Sequence, residues 1–189
     1  MIPLVLGEAA VTESLTSDRD GATTSSTDAV GVRISTIGVN EFDAAEVIAT
    51  WTIPSSVFAD YGPAPEVSVY FDTAVSATLA TDNWSGNSAS LFITASGTLG
   101  ASEVGQGDSV LAQIGRGDSA RLVAEEHSAG FGSQVELGGA GAALVVEFRV
   151  SCFVASSDNP FGFGAESSCD VSAVEFQEAR ITVRPSDDG

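Results

Sequence analysis

The segment from Leu144 to Val154 alternates between two sets of side chains, and this period of two constrains the fold more than any other feature of the chain. One set is apolar and consists of Leu144, Val146, Phe148, Val150, Cys152 and Val154. The other set consists of Glu147, Arg149, Ser151, Val145 and Phe153. Such alternation predicts a β-strand with one face on the core. Because Val145 and Phe153 belong to the second set, we expect the ends of that outer face to be covered.

The same period recurs along much of the chain. It predicts strands at residues 30–34, 47–53, 67–71, 75–79, 91–93 and 174–183. In the last of these, a one-residue bulge near Gln177 and Glu178 would keep the apolar side chains on one face. Frequent glycines between Gly97 and Gly141 predict only short strands there, at 110–114 and 122–125. Brief helical turns are predicted at 43–47 and 55–61.

Roughly eight to ten antiparallel strands with very little helix predict an all-β fold. Turn signals recur every eight to twelve residues, which is typical of a jelly roll, a β-barrel or a β-sandwich. At 19.2 kDa the chain fits one such domain.

Three divisions of the chain follow from its composition. Residues 7–28 are rich in Ser, Thr, Asp and Gly, with Val11 and Leu15 as the only sizeable apolar side chains. We therefore predict an extended N-terminal arm over residues 1–28. A single β-barrel domain is expected over 29–185, followed by an acidic tail over 186–189.

The chain contains no lysine, and its seven arginines face 26 Asp and Glu, for a formal net charge of −19. Self-repulsion of that size is screened in strong salt, which indicates a protein of saline surroundings. The same charge repels nucleic acid and anionic lipid, so direct nucleic-acid binding is not expected. We predict no cofactor beyond loosely bound cations.

Two cysteines, Cys152 and Cys169, flank a loop that contains a glycine- and phenylalanine-rich run. A disulfide between them would stabilise the fold by roughly 3 kcal/mol in the chain-entropy model. The alternative is a pair of reduced, buried thiols, because cytoplasmic synthesis disfavours disulfides.

No motif for catalysis stands out, and we predict that the protein is not an enzyme. His127 is the only histidine and has no recognisable nucleophile or metal-binding partner in the sequence. The triplet at Arg116 to Asp118 resembles the integrin-binding loop of animal matrix proteins, but ordinary turn chemistry explains it better. Paired carboxylates of the glycosidase type stay open, because they come from distant strands and leave no local signature.

Three of the seven arginines, Arg149, Arg180 and Arg184, lie in the two strands nearest the C-terminus. They either pair with acidic side chains on neighbouring strands or form ion pairs across a subunit contact. Both interpretations are kept.

The apolar start, from Met1 to Leu6, is too short for a signal peptide or a membrane span. No later segment reaches spanning length, so we expect a product made in the cytoplasm.

An acidic all-β chain with no catalytic motif and no secretion signal resembles the small major capsid proteins of icosahedral haloarchaeal viruses with an internal membrane. The resemblance is one of composition and architecture and covers the whole chain. It implies a vertical single β-barrel that builds the viral coat through capsomers. It also implies self-association, contact with other capsid proteins, location in the virion and an N-terminal arm near the viral membrane.

Two alternatives remain. One is a decoration or tail protein of a tailed haloarchaeal virus. The other is an extracellular β-sandwich that binds carbohydrate or a cell surface. A signal peptide or an exposed aromatic strip would favour it, and neither is evident in the sequence.

Overall fold

Antiparallel strands form almost all of the regular structure. The computed structural model describes residues 1–15, 22–26, 29–38, 41–100, 102–135, 142–156 and 165–185. Short 3-10 helices lie at Leu6–Glu8 and Ser55–Tyr61. The strands are β1 (Ile2–Pro3), β2 (Ala10–Leu15), β3 (Ala22–Ser25), β4 (Ala29–Gly38), β5 (Glu41–Ile53), β6 (Glu66–Thr81), β7 (Ser88–Leu99), β8 (Ser102–Gly115), β9 (Ser119–Gln134), β10 (Leu144–Ser156) and β11 (Ala165–Arg184).

The strands form two sheets that face each other. The five-stranded sheet has the order β2-β5-β10-β7-β8, and the six-stranded sheet has the order β3-β4-β11-β6-β9, with β1 beside β11. From β4 to β11 the chain follows the order of an eight-stranded jelly roll. The predicted all-β class is confirmed. The described residues contain eleven strands, against the expected eight to ten, because the N-terminal segment supplies three more.

The described part of residues 1–28 belongs to the sandwich, in contrast to the predicted arm. Strand β1 pairs with β11, β2 pairs with β5, and β3 pairs with β4. Leu4 and Leu6 are buried in the core, and the Trp51 indole N–H donates to the Val5 carbonyl at 3.0 Å. The polar part of this segment still forms strands, because an extended chain can satisfy its backbone groups on a sheet edge with few apolar side chains of its own. The predicted tail, 186–189, lies outside the described residues.

The core is centred on aromatic side chains contributed by both sheets. Phe148 of the five-stranded sheet lies 4.9 Å, between ring centroids, from Phe71 and from Phe176 of the opposite sheet. Trp51 packs on Phe71 at 5.6 Å. These rings meet because the period of two directs alternate side chains of each strand inward. A bulge between Phe176 and Glu178 then lets β11 continue with the opposite parity, as its sequence predicts, and a second one follows Val171.

Glycines close one side of the sandwich, where only short strands were predicted. Strands β8 and β9 are long, and they bring the edges of the two sheets together. A Cβ on Gly107 would lie 2.0 Å from the Gly130 carbonyl oxygen, and one on Gly97 would lie 2.4 Å from the Phe131 ring. The glycines therefore permit a close approach of two strands and do not interrupt them. The helical turn predicted at 43–47 is also wrong, since those residues belong to β5.

A disulfide joins Cys152 of β10 to Cys169 of β11, with a Cα–Cα distance of 6.0 Å. Both cysteines are fully buried. Since the two strands belong to different sheets, the bond ties the layers of the sandwich across the core.

Candidate functional site

The outer face of the five-stranded sheet carries three phenylalanines where polar side chains are the rule. Phe42, Phe92 and Phe153 point away from the core on β5, β7 and β10, and we call them the aromatic strip. Phe42 is 64% exposed, and the other two are half-buried. The Phe42 and Phe153 rings stack with centroids 6.1 Å apart, and Phe92 meets Phe153 edge-to-face at 5.8 Å. Exposed clusters of this kind mark binding surfaces more often than isolated apolar residues do.

The strip arises from the register of the strands. Phe153 lies opposite Ala44 and Ser90, Phe42 lies opposite Ala155, and the three rings occupy diagonal positions. Diagonal neighbours on one sheet face are within reach of aromatic side chains. The small side chains between them leave the rings room to meet.

A charged cluster lies beside the strip on the same face. The side chain of Glu46 on β5 is mostly buried, and each of its two carboxylate oxygens has a partner within the protein. The Ser151 hydroxyl donates to Glu46 Oε1 at 3.0 Å, and Arg149 Nη1 lies 3.4 Å from Glu46 Oε2. Arg149 Nη2 also lies 3.8 Å from Glu147 Oε2. The guanidinium is therefore fixed between two carboxylates.

The opposite side of the face is formed by the edge strand β8. Gln106 donates through Nε2 to the Asp108 carboxylate at 3.0 and 3.1 Å. The register places Asp108 opposite Thr94, which in turn lies opposite Arg149. Both side chains of β8 are exposed, so their remaining hydrogen-bonding groups face solvent.

These side chains enclose a shallow depression of about 490 Å³, which we call the outer groove. It is lined by Glu46, Phe92, Thr94, Ser96, Gln106, Asp108, Val110, Arg149, Ser151 and Phe153. Aromatic rings lie at one end of the groove, and hydrogen-bond donors and acceptors lie along the rest of it. Such a surface can take a ligand that presents an apolar face and several hydroxyl groups.

The structure separates the three arginines singled out by the sequence. Arg149 lies in the outer groove. Arg180 lies on the outer face of the other sheet, ion-paired with Glu178 and 4.9 Å from the centre of the Tyr70 ring. Arg184 is exposed at the end of β11. Arg149 and Arg180 pair within the chain, and the role of all three in subunit contacts stays a prediction.

Sequence reasoning missed Phe42, Phe92, Glu46 and Asp108 as members of one site. One signal was present, because Phe153 has the parity of Arg149 and Ser151 and so had to face outward. Its neighbours come from strands remote in sequence, and only the register brings them together.

Two further observations concern ligands and membranes. Among the described residues, no group of three or more His, Cys, Asp or Glu side chains is placed to hold a metal ion. Within the same residues, no helix is both long and apolar enough to cross a membrane.

No protein-family model matches the sequence, and no curated protein matches it. Solved structures that are similar include TmCBM61 in complex with β-1,4-galactotriose, with 10% identity over 87% of this chain and 88% of that one and a TM-score of 0.31. The family 11 carbohydrate-binding module from Clostridium thermocellum, in complex with a β-1,3-1,4-mixed-linked tetrasaccharide, has 9% identity over 89% of each chain and a TM-score of 0.24.

A third similar structure is the enzymatically active domain of bacteriophage CBA120 tailspike protein 4. It shares 10% identity over 90% of this chain but only 20% of its own length, with a TM-score of 0.34. These comparisons correct the predicted function. These three structures are two carbohydrate-binding modules and a tailspike domain, and none of the three is a capsid protein. The predicted function of a capsid subunit and viral coat protein is contradicted by this finding.

Proposed function

We propose that this protein is a carbohydrate-binding β-sandwich that holds a neutral glycan in the outer groove. The observation that carries the proposal is the aromatic strip beside fixed polar side chains on one solvent-facing sheet. A sugar ring has an apolar face of C–H groups, which an aromatic ring can cover, and a rim of hydroxyls, which carboxylates and guanidinium groups can bind.

The fixed polar groups favour recognition over a structural role for this face. Glu46 is held by Ser151 and Arg149, so its lone pairs are oriented before a ligand arrives. Preorganisation of this kind lowers the entropic cost of binding. A neutral ligand fits best, since the net charge of −19 repels polyanions.

We propose further that the protein binds the glycan without cleaving it, and that it does so outside the cell. Glu46 is held by Ser151 and Arg149, and Asp108 is bonded to Gln106; each carboxylate oxygen keeps a lone pair that can accept from a sugar hydroxyl. The disulfide between the sheets suits an oxidising compartment.

The test is binding to a panel of soluble polysaccharides by affinity electrophoresis and calorimetry in about 1 M NaCl, where the Debye length is about 3 Å. The panel contains β-1,4-galactan, mixed-linked β-1,3-1,4-glucan, xylan, mannan and starch as neutral chains, and polygalacturonate as a polyanion. At this salt concentration we expect at least one neutral chain to bind and no reducing ends to be released. In a second series at about 0.1 M NaCl, where the Debye length is about 10 Å and repulsion is less screened, we expect polygalacturonate to bind more weakly than the neutral chain.

The matched variants are Phe42→Ala and Val123→Ala, because both side chains are 64% exposed. Phe42 lies just beyond the groove lining but stacks on Phe153, which is part of that lining, whereas Val123 does not belong to the strip. Phe42→Ala should weaken binding about tenfold, or about 1.4 kcal/mol, and Val123→Ala should leave it unchanged. Equal effects of the two variants, or no binding to any neutral chain, would overturn the proposal.

A further inference from the structure

A second depression, of about 630 Å³, lies on the outer face of the six-stranded sheet next to the edge strand β9. Its lining includes Tyr70, Arg180, Gly130 and Gly132. Asp108, which lines the outer groove on the other sheet, lines this depression as well. The two depressions therefore share a rim at Asp108. We call the second one the edge groove.

Next to Asp108, the two sheet edges meet through backbone. Gly107 precedes Asp108 and faces inward, and a Cβ there would lie 2.0 Å from the Gly130 carbonyl oxygen. The edges of the two sheets thus touch through their main chains at this point. No side chain of Gly107 or Gly130 stands between the outer groove and the edge groove.

The edge groove repeats the chemistry of the outer groove. Arg180, Tyr70 and Gly130 lie side by side in one transverse row of the sheet. Arg180 covers one side of the Tyr70 ring at 4.9 Å, and Gly130 lines the depression beyond Tyr70 with backbone only. The next row contains Thr182, Ser68 and Gly132. A ring, a guanidinium and two hydroxyls thus face the depression.

We propose that the two grooves form one track, and that the ligand is an internal stretch of a long neutral glycan, not a chain end or a single sugar. The inference rests on the proposed function of the outer groove. From β5 to β8 the track crosses three strand spacings, about 14 Å, and from β9 to β11 it crosses two more, about 10 Å. Because the two outer faces belong to opposite sheets, the glycan bends around the edge formed by β8 and β9, at Asp108. A track of that length accommodates several sugar rings. Both depressions are open to solvent, so a long glycan can enter the track at one end and leave it at the other.

The experiment compares a trisaccharide and an octasaccharide of the same neutral polysaccharide from the panel, by calorimetry. We expect the octasaccharide to bind with a one-to-one stoichiometry and at least tenfold more tightly than the trisaccharide. Tyr70→Ala should remove most of that gain and leave the affinity for the trisaccharide unchanged, whereas Phe153→Ala should weaken binding of both.

Thr78→Ala is the matched control, since Thr78 is exposed on the same face of β6 but outside the edge groove. Arg180→Gln provides a second probe that keeps the Tyr70 ring, and it should also weaken only the octasaccharide. Thermal unfolding of each variant checks that the fold is retained.

The outcomes separate the two proposals. If trisaccharide and octasaccharide bind equally well, or if two octasaccharides bind independently to one molecule, the continuous track is wrong while carbohydrate binding stands. If neither binds, and no other chain of the panel does, both proposals fail.

Discussion

Phe153 stacks on Phe42 with ring centroids 6.1 Å apart, on a sheet face that is turned away from the core. Burial in the fold does not account for this pair, because the Phe42 side chain remains 64% exposed. An exposed ring is stabilised little by its neighbours and carries a cost in solubility. The pair is therefore better explained by a ligand than by folding.

Removal of the outer ring should leave stability almost unchanged. Phe42→Ala is expected to alter the free energy of unfolding by no more than about 0.5 kcal/mol, as surface substitutions usually do. Phe148→Ala, at a fully buried ring that contacts Phe71 and Phe176, should cost about 3–5 kcal/mol. Denaturant titration of both variants at one salt concentration measures the difference. A loss above 2 kcal/mol for Phe42→Ala would show that the strip is structural.

The contact between Gly107 and Gly130 predicts a sharp difference between two glycine substitutions. Gly107→Ala should destabilise the protein by about 1–3 kcal/mol, because the new methyl group would collide with backbone that cannot move without parting the sheets. Gly115→Ala is the matched control in the same strand. Its Cβ would meet nothing closer than the Asn87 carbonyl oxygen at 4.0 Å, and its effect should be small. Thermal unfolding of the two variants checks this, and similar melting temperatures would contradict the close-approach explanation.

The limits of the sequence prediction are clearest at these glycines. Alternation alone predicted β10 and the outward position of Arg149, because a period of two is a local property of the chain. The same rule fails between Gly97 and Gly141, where the frequent glycines predict short, interrupted strands. Glycine is required there because a side chain would collide with a strand of the opposite sheet. Such a contact between distant residues is not visible along the sequence.

The sequence predicts only part of the candidate site, for a related reason. Parity placed Phe153 on the outer face, but its partners Phe42 and Phe92 belong to other strands of the sheet. Register decides whether such residues meet, since a shift of one residue would turn every side chain of a strand to the other face. Register depends on the packing of the whole core and could not be derived from one segment.

The disulfide should contribute measurably to stability. Cys152 and Cys169 are separated by 17 residues and belong to different sheets. In the chain-entropy model, a loop of this size is worth about 3 kcal/mol. The double variant Cys152→Ala, Cys169→Ala should lose about that much in denaturant titration. Reducing agent should destabilise the native protein by a similar amount and leave the variant unaffected. A variant as stable as the native protein would show that the bond adds nothing.

The acidic surface predicts stability that rises with salt. With 26 Asp and Glu against seven Arg, repulsion within the folded state is strong at about 0.1 M salt, where the Debye length is about 10 Å, and weak at about 1 M, where it is about 3 Å. The melting temperature should therefore increase over this range of NaCl. Replacing exposed Glu103 and Glu126 with Lys should flatten the dependence. A melting temperature that does not respond to salt would remove the interpretation of a saline habitat.

Glu46 and Glu147 contact the same arginine, and they should differ in their importance for glycan binding. The Glu46 side chain is 21% exposed, lines the outer groove and accepts from both Ser151 and Arg149. Glu46→Gln removes the charge that orients the guanidinium and should lower affinity for the bound polysaccharide about five- to tenfold, in line with a hydrogen bond to a charged group. Glu147 is 38% exposed, lies 3.8 Å from Arg149 and is not part of the groove lining. Glu147→Gln should therefore change affinity less than twofold, as exposed ion pairs contribute little. Calorimetry on both variants distinguishes two explanations. A general effect of net charge would change the affinity equally in the two variants. If Glu46 acts by orienting Arg149 within the groove, only Glu46→Gln lowers the affinity.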